Sequence, residues 1–258
     1  MIISGNHIQN IDLPEDYTVV SLVPSLTELL YFLGLNGHIT GITRFCELPR
    51  EKVPLPKIIG GTKNPSIERI RQLKPSLIIA SKEENLEADV GLLSFDCMVW
   101  VTDIKNLEDN ISVLNSFLRI FGKSEAFKDL PAAIGDGFSA PEDAGKALYL
   151  IWQNPFMTVG GDTFISDMLG RAGFQNITRD RLRYPEIDIE EIRMLEPEWI
   201  LLSSEPYPFR EKHVADLALL FPDAKVVLVD GQMFSWYGVR PLYAPAYFEA
   251  LRSRLMAF

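Results

Sequence analysis

The sequence predicts an α/β fold of two similar lobes, each built on a parallel sheet. Short apolar runs alternate with helical patterns in both halves, and a helix–proline–strand segment at residues 66–81 returns at residues 188–203. At 258 residues, the chain is long enough for two such lobes. We predict an N-terminal lobe at residues 1–122, a connecting helix at 123–140 and a C-terminal lobe at 141–258.

The first half begins with an apolar, β-branched run at residues 18–23, which predicts a strand that Pro24 ends. The next residues predict a helix, with Ser25 as its N-cap and Glu28 at the capping-box spacing. Strands are predicted at residues 38–43 and 95–103, a proline-rich loop at 44–56, and a helix at 106–121 that Gly122 ends.

The middle of the chain predicts a helix whose apolar residues share one face between residues 124 and 138. Pro131 lies inside this span, so we expect a kink or break near it. The second half then restarts the alternation. Strands are predicted at residues 147–152 and 225–230, a helix at 162–173 with Asp162 as a candidate cap, and a final helix at the end.

The repeat places a glutamate at the second position of each short helix, after the N-capping residues Ser66 and Asp188. These glutamates are Glu68 and Glu190. A carboxylate there stabilises a helix start by about 0.3–1 kcal/mol through the helix dipole. The same two carboxylates, one in each lobe, are also suited to a basic partner with two-fold symmetry. Both interpretations remain open at this point.

Charge and composition exclude several classes of protein. The formal net charge is −10, which opposes binding to a phosphate backbone, so nucleic acid is not an expected partner. No apolar run is long enough to span a bilayer, and the first residues lack the pattern of a secretory signal. The sequence as it stands predicts a cytoplasmic protein. A chain trimmed at its start would look the same and could be periplasmic.

Ligands of parallel α/β sheets bind beyond the carboxyl ends of the strands. Here that rule selects loops that contain an unusual density of aromatic residues: Phe45, Trp152, Phe156, Tyr207, Phe234, Trp236 and Tyr237. Such walls suit a flat, partly apolar ligand, with Arg44, Lys82 and Arg240 to orient an anionic edge. Each aromatic residue taken alone is better explained by core packing, and it is their grouping in predicted loops that favours a binding function.

Metal binding and catalysis have weaker signals. His7, His38 and His213 are scattered. Cys46 is a candidate metal ligand, beside Glu47 or as the axial ligand of a macrocycle, and a packed thiol is the alternative. Lys82, Glu83 and Glu84 together could serve acid/base chemistry or form a solvated loop. The glycine patterns of nucleotide-binding loops and of the hydrolase nucleophile elbow are missing from the sequence.

Four stretches together resemble the class III periplasmic binding proteins, the helical-backbone metal receptor superfamily of cobalamin and ferric-siderophore uptake. They are VVSLVPSLTELLYFLGL, SIERIRQLKPSLIIAS, NPFMTVGGDTFISDMLGRAGFQN and DIEEIRMLEPEWILL. The sequence is most similar to a branch without signal peptides. The resemblance implies two lobes joined by one backbone helix, a ligand cleft between them, and docking of Glu68 and Glu190 on permease arginines.

Position by position, the resemblance is partial. Phe45 and Tyr184 match cleft aromatics of the cobalamin carriers, whereas Thr62 stands where a tryptophan is expected. Gln232 and Trp236 replace an acid and an arginine that would contact the corrinoid.

The combined prediction is a monomeric, non-catalytic binding protein for a small-molecule metal chelate such as a cobalamin or a ferric siderophore, with no required cofactor and a possible ABC permease as partner. The predicted ligand-binding residues are Arg44, Phe45, Cys46, Thr62, Lys82, Trp152, Phe156, Tyr184, Trp236, Tyr237 and Arg240. The alternatives are a cytoplasmic metallochaperone or small enzyme that uses Cys46, Glu83 and Glu84, and an interaction protein that uses the docking glutamates.

Overall fold

The computed structural model of the chain describes residues 1–47 and 55–255. These residues form two compact units. Unit 1 contains Met1–Ile104, Glu108–Gly135 and Tyr237–Val239, and unit 2 contains Lys105–Leu107, Asp136–Trp236 and the described residues from Arg240 onward. Each unit has one sheet, and all strand pairs in both sheets are parallel, which confirms the predicted α/β class. No described helix is both long enough and apolar enough to cross a membrane.

The six-stranded sheet of unit 1 has the strand order β1-β6-β5-β2-β3-β4. Its strands are β1 Ile2–Ser4, β2 Val19–Ser21, β3 Ile39–Ile42, β4 Lys57–Ile58, β5 Leu77–Ser81 and β6 Val99–Thr102. Its helices are α1 Pro24–Phe32, α2 Ile67–Leu73, α3 Glu87–Ser94, α4 Leu107–Ile120, whose first residue belongs to unit 2, and α5 Leu130–Asp136, whose last residue also does. Most of the predicted proline-rich loop, residues 48–54, lies outside the described residues.

The four-stranded sheet of unit 2 has the order β10-β9-β7-β8. Its strands are β7 Gly145–Leu150, β8 Phe174–Asn176, β9 Trp199–Ser203 and β10 Lys225–Val229. Its helices are α6 Phe164–Arg171, α7 Ile189–Leu195, α8 Glu211–Leu220, α9 Gln232–Ser235 and α10 Ala244–Leu255.

The central strands are buried because helices cover the sheets. Every residue of β5 and of β9 is buried, which explains why both strands are continuous apolar runs rather than alternating ones. In unit 1 the helices α2 and α3 pack on the strands through Ile70, Val90 and Leu93. In unit 2 the helices α7 and α8 do so through Ile192 and Leu217.

The two copies of the repeat have the same local structure. In each, the capping side chain accepts a hydrogen bond from the third helical N–H, at 3.4 Å from Arg69 N to Ser66 Oγ and at 2.8 Å from Glu191 N to Asp188 Oδ1. Both helices have seven residues and end in a left-handed residue, Lys74 in α2 and Glu196 in α7. The predicted repeat and both predicted caps are therefore confirmed.

Two other predicted caps are wrong. Helix α1 begins at Pro24 after Val23, because proline needs no N–H partner in the first turn, so Ser25 lies inside the helix. Helix α6 is capped by Thr163, whose side chain accepts from Ser166 N. Asp162 accepts instead from the Arg183 N–H, at 2.6 Å.

The helix predicted for residues 123–140 is also shorter than expected. Turns occupy residues 124–129, and the regular helix covers only Leu130–Asp136. Pro131 lies in the first turn of this helix, the position where a missing N–H has least cost. The lobe boundaries that we predicted around this segment stay predictions.

The two glycines of VGGD allow a close approach between two backbones. Gly160 N donates to Arg183 O at 2.7 Å, and Gly161 N donates to Arg181 O at 3.0 Å. A Cβ atom added at Gly160 would lie 2.4 Å from Arg181 O. A side chain there would force the two segments apart.

We expect Gly160→Ala to lower the free energy of unfolding by about 1–3 kcal/mol, because the added methyl group overlaps backbone atoms. Gly170→Ala is the matched control, since nothing lies near its Cβ position inside α6. It should instead stabilise the protein by about 0.5–1 kcal/mol through helix propensity. Urea unfolding measures both variants, and equal effects would contradict this explanation of the glycine.

Candidate functional site

In unit 1, the carboxyl ends of β2, β3 and β5 are surrounded by hydroxyl, thiol and carboxylate groups. Thr27, in the first turns of α1, donates from Oγ1 to Ser21 Oγ at 2.8 Å and to Val23 O at 2.9 Å. Thr43 directly follows β3, and Ser81 is the last residue of β5. Because parallel strands end at one edge of a sheet, these side chains belong to the edge at which ligands of this fold class bind.

Cys46 packs into this hydroxyl cluster. Its Sγ donates to Thr27 Oγ1 at 3.3 Å and lies 3.3 Å from Thr43 Oγ1. Burial raises the pKa of the Cys46 thiol above its usual value, with a smaller contribution in the same direction from the Glu84 carboxylate. A thiol in this environment is a weak nucleophile and a poor metal ligand, because both roles need the thiolate.

Tyr237 closes the same edge from the far end of the sequence. Its buried phenol donates to Glu84 Oε1 at 2.8 Å and lies 3.0 Å from Ser81 Oγ. Burial raises the pKa of Tyr237 well above its usual value, and the neighbouring Glu84 carboxylate adds to the shift. Gly238 follows with a positive φ, and its N–H donates to Asn110 Oδ1 at 2.6 Å.

The remaining predicted residues of unit 1 lie in the loops around this cluster. The Thr62 carbonyl accepts from Asn85 Nδ2 at 3.0 Å, and Lys82 forms an ion pair with Asp103 at 2.8 Å. The Arg44 guanidinium lies 5.8 Å from the centre of the Phe45 ring. Phe45 is 56% exposed, which is unusual for a phenylalanine at a strand end.

Unit 2 repeats the polar arrangement of unit 1. The spacing that relates Glu68 to Glu190 also relates Ser81 to Ser203 and Glu83 to Glu205. Each serine hydroxyl accepts from the N–H of its glutamate, at 3.1 Å in unit 1 and 3.4 Å in unit 2. Ser203 is contacted by the phenol of Tyr149, at 3.1 Å. Sequence comparison of the two halves could have extended the repeat to these glutamates, but the tyrosines come from unrelated positions.

Glu205 ties the aromatic loop of unit 2 to the sheet. Its Oε1 accepts from Trp236 Nε1 at 2.7 Å and from Ser235 Oγ at 2.9 Å. The Arg240 guanidinium lies over the Trp236 ring, 5.0 Å from its centre. Trp236 is buried, so it contacts a ligand only if its surroundings move.

A second aromatic group lies at the ends of β7 and β9. The exposed Trp152 meets Tyr207 edge to face at 5.5 Å between ring centres, and Tyr207 packs on Phe209 and His213. Phe156 is half-buried and packs on the core of unit 2. Tyr184 is also half-buried, with the Arg183 guanidinium 5.6 Å from its ring centre.

The two docking candidates occupy equivalent, exposed positions. The Glu190 side chain is 77% exposed and accepts from Arg193 at 2.6 Å, whereas Glu68 accepts from Gln72 at 3.4 Å. Their position in the first helical turn fits both interpretations that the sequence left open.

A cavity of about 1060 Å³ lies elsewhere in unit 2, along α6 and β8. Lys105, Asp162, Asn176 and Arg179 are among the residues that line it, and none of the predicted ligand-binding residues does. Within residues 1–47 and 55–255, no three His, Cys, Asp or Glu side chains come close enough to hold a metal ion.

The raised pKa of Tyr237 predicts a loss of stability at alkaline pH. Free tyrosine ionises near pH 10, and the folded state keeps this proton to higher pH. The contribution of the Tyr237 proton to the free energy of unfolding is therefore fully present below about pH 10. Above that pH it is lost, by up to about 1.4 kcal/mol per pH unit. Tyr237→Phe should cost about 1–3 kcal/mol near pH 7, because Ser81 and Glu84 lose a partner, and should flatten the alkaline decline. Tyr243→Phe, at an exposed position, is the control in chemical unfolding at pH 8 to 11.5. An unchanged alkaline slope in Tyr237→Phe would contradict the assignment.

Comparisons with known proteins support this architecture. The sequence model of the periplasmic binding protein family matches residues 19–102. The vitamin B12-binding protein of Vibrio parahaemolyticus is 25% identical over 194 residues, which cover 72% of this chain and 70% of that protein. An uncharacterized ABC transporter substrate-binding lipoprotein of Bacillus subtilis, YvrC, is 25% identical over 202 residues, covering 72% of this chain and 63% of that protein.

Two solved structures from Vibrio cholerae have the same fold. The periplasmic vitamin B12 binding protein BtuF superimposes with a TM-score of 0.75 at 18% identity, covering 93% of this chain and 98% of that one. The periplasmic heme binding protein HutB superimposes with a TM-score of 0.75 at 18% identity, covering 93% of this chain and 99% of that one. The predicted resemblance is therefore confirmed: the chain has the fold of the periplasmic binding proteins over nearly its whole length, and the sequence model of that family matches residues 19–102.

Proposed function

We propose that this chain is a non-catalytic binding protein that holds a metal chelate or corrinoid-like ligand as the substrate-binding component of an ABC transporter. The observation that carries the proposal is the exposure of aromatic rings at the strand carboxyl ends of both units, Phe45 in unit 1 and Trp152 in unit 2. In this fold class that edge is where ligands bind. Relatives that share the fold are named for binding vitamin B12 or heme.

The exposed rings indicate the kind of ligand. Phe45 is 56% and Trp152 is 40% exposed, although large apolar side chains are usually covered. Covering one such ring with a flat ligand removes enough apolar surface to stabilise a complex by about 2 kcal/mol. Arg44 beside Phe45 and Arg240 beside Trp236 supply positive charge for an anionic edge of the ligand.

The local chemistry supports binding rather than catalysis. Burial keeps the Cys46 thiol protonated by raising its pKa, and the Glu84 carboxylate is engaged by Tyr237. Lys82 is paired with Asp103. These groups are held by contacts with one another and with their neighbours, and none of them is arranged as a nucleophile beside a general base. The metallochaperone and small-enzyme alternatives are correspondingly less well supported.

The transport role would use a permease, as the names of ABC transporter relatives indicate. We include Glu68 and Glu190 in the proposal as docking groups, because they are exposed and related by the repeat. The predicted cleft between the lobes and the predicted monomer remain predictions. The periplasmic and lipoprotein relatives favour a location outside the cytoplasm over the cytoplasmic one that the first residues suggested.

Titration of the purified protein with cyanocobalamin, haemin and ferric siderophores tests the proposal. We expect saturable one-to-one quenching of tryptophan fluorescence by one of these compounds. Phe45→Ala should weaken that binding about tenfold or more, because an exposed ring loses its contact with the ligand. Phe95→Ala is the matched control: Phe95 is 83% exposed but follows α3 in unit 1. It should leave affinity within about twofold. Lack of binding by every compound would refute the proposed function.

Cys46→Ser separates the proposal from the metallochaperone alternative. The substitution keeps a donor beside Thr27 and Thr43, so we expect the fold and the chelate affinity to be retained. Loss of metal binding with the fold intact would instead favour the chaperone.

A further inference from the structure

The start of helix α8 fixes the tautomer of a buried histidine in unit 2. His213 is 5% exposed, and its Nδ1 accepts a hydrogen bond from the Arg210 backbone N–H at 2.8 Å. Arg210 is the N-cap residue of α8 and His213 is the third helical residue. The His213 ring thus accepts the hydrogen bond that a Glu or Gln side chain accepts at this position in a capping box. An accepting Nδ1 carries no proton. The neutral ring therefore has its proton on Nε2.

This tautomer determines the direction of the next contacts. His213 Nε2 lies 3.5 Å from the Tyr207 hydroxyl, and the two rings meet edge to face at 5.5 Å. A protonated Nε2 cannot accept a hydrogen bond, so the phenol proton of Tyr207 points elsewhere. It goes to Gln153, at 3.1 Å. The Gln153 atom nearest Tyr207 is thus the amide oxygen, and its NH₂ group faces the opposite way.

The segment that carries Gln153 is held in place by its backbone. Ile151 N donates to Met157 O at 3.0 Å, and Met157 N donates to Trp152 O at 3.2 Å, which closes the loop. Tyr207 N donates to Ile151 O at 3.3 Å, which joins the loop to the residues after β9. Both the amide of Gln153 and the ring of Trp152 therefore rest against the same tyrosine.

The amide oxygen of Gln153 accepts from Tyr207, so the amide nitrogen is on the other branch of the amide group. Within residues 1–47 and 55–255, this nitrogen makes no hydrogen bond to the protein. Its neighbour Trp152 is among the exposed large apolar residues. A fixed donor beside an exposed aromatic ring matches a flat ligand that has an acceptor oxygen at its edge.

We propose that Gln153 is a specificity-determining residue, whose amide NH₂ donates a hydrogen bond to an acceptor oxygen on the edge of a flat ligand that lies against Trp152. The oxygen belongs to a carboxylate, as in a porphyrin, or to an amide carbonyl, as in a corrin. The inference rests on the proposed function. It adds that His213 and Tyr207 are positioning residues, which hold the amide in its donating orientation.

The orientation is tested first without ligand. In ¹⁵N NMR spectra of histidine-labelled protein, His213 should show a protonated Nε2 and an unprotonated Nδ1. Tyr207→Phe should shift the Gln153 side-chain NH₂ signals, because the amide oxygen loses its donor. A protonated Nδ1 in His213, or NH₂ signals that do not respond to Tyr207→Phe, would overturn the positioning role.

The recognition role is tested with Gln153→Glu, which keeps an oxygen for Tyr207 but replaces the donor with an acceptor. Gln9→Glu, at an exposed position of unit 1, is the matched control. Binding of haemin and of cyanocobalamin is measured for both variants and the wild type, and thermal unfolding checks that each variant is folded.

We expect Gln153→Glu to weaken binding of the accepted probe about tenfold or more, and Gln9→Glu to change it less than twofold. Loss confined to haemin assigns a carboxylate as the acceptor, and loss confined to cyanocobalamin assigns an amide carbonyl. Wild-type affinity in Gln153→Glu overturns the recognition role while the proposed function stands. If neither probe binds the wild type, the proposed function fails for these compounds and the recognition role fails with it. The NMR result then still decides the orientation of the amide.

Discussion

Burial of the parallel strands on both faces is the constraint on which the rest of this structure depends. Strands such as β5 and β9 have no exposed residue, so polar groups can collect only where the strands end. At that edge the buried hydroxyls that end β5 and β9 each have a tyrosine partner: Tyr237 contacts Ser81, and Tyr149 contacts Ser203. These hydrogen-bonded pairs lie at the strand ends from which the loops with exposed aromatic rings begin.

The two units share an equivalent framework, but the tyrosines that contact their buried serines are not equivalent. The serine, the glutamate two residues later and the short capped helix before them are equivalent in both units. The tyrosines are not equivalent, because Tyr149 comes from the neighbouring strand β7 and Tyr237 comes from residues 237–239, far along the chain. The duplicated framework therefore carries a different buried tyrosine at the strand ends of each unit.

Much of the fold could be predicted from the sequence because its signals are local. The capped helix, the proline and the apolar strand of each repeat lie within about 20 residues, and both copies have the predicted structure. The predicted caps Ser25 and Asp162 are each wrong by one or two residues, because Pro24 already begins α1 and Thr163 is the residue that caps α6. The strands β1 and β8 were missed, since three residues at a sheet edge have too weak a pattern to stand out.

The candidate site was harder to predict, because its geometry depends on contacts between distant segments. The sequence located the loops correctly as strand ends, yet it could not show that Trp236 and Tyr237 are buried and hydrogen-bonded while Phe45 and Trp152 are exposed. The tautomer of His213 depends on a hydrogen bond from the Arg210 backbone, which no sequence motif predicts. The orientation of Gln153 depends on that tautomer.

We propose that the ligand binds at the strand carboxyl ends of both units. Hydrogen–deuterium exchange with and without haemin or cyanocobalamin, whichever binds, tests this proposal. We expect new protection in residues 44–46, 60–62 and 82–85 of unit 1 and in residues 152–157 and 205–207 of unit 2. Protection confined to the cavity residues along α6 and β8, with these loops unchanged, would contradict it.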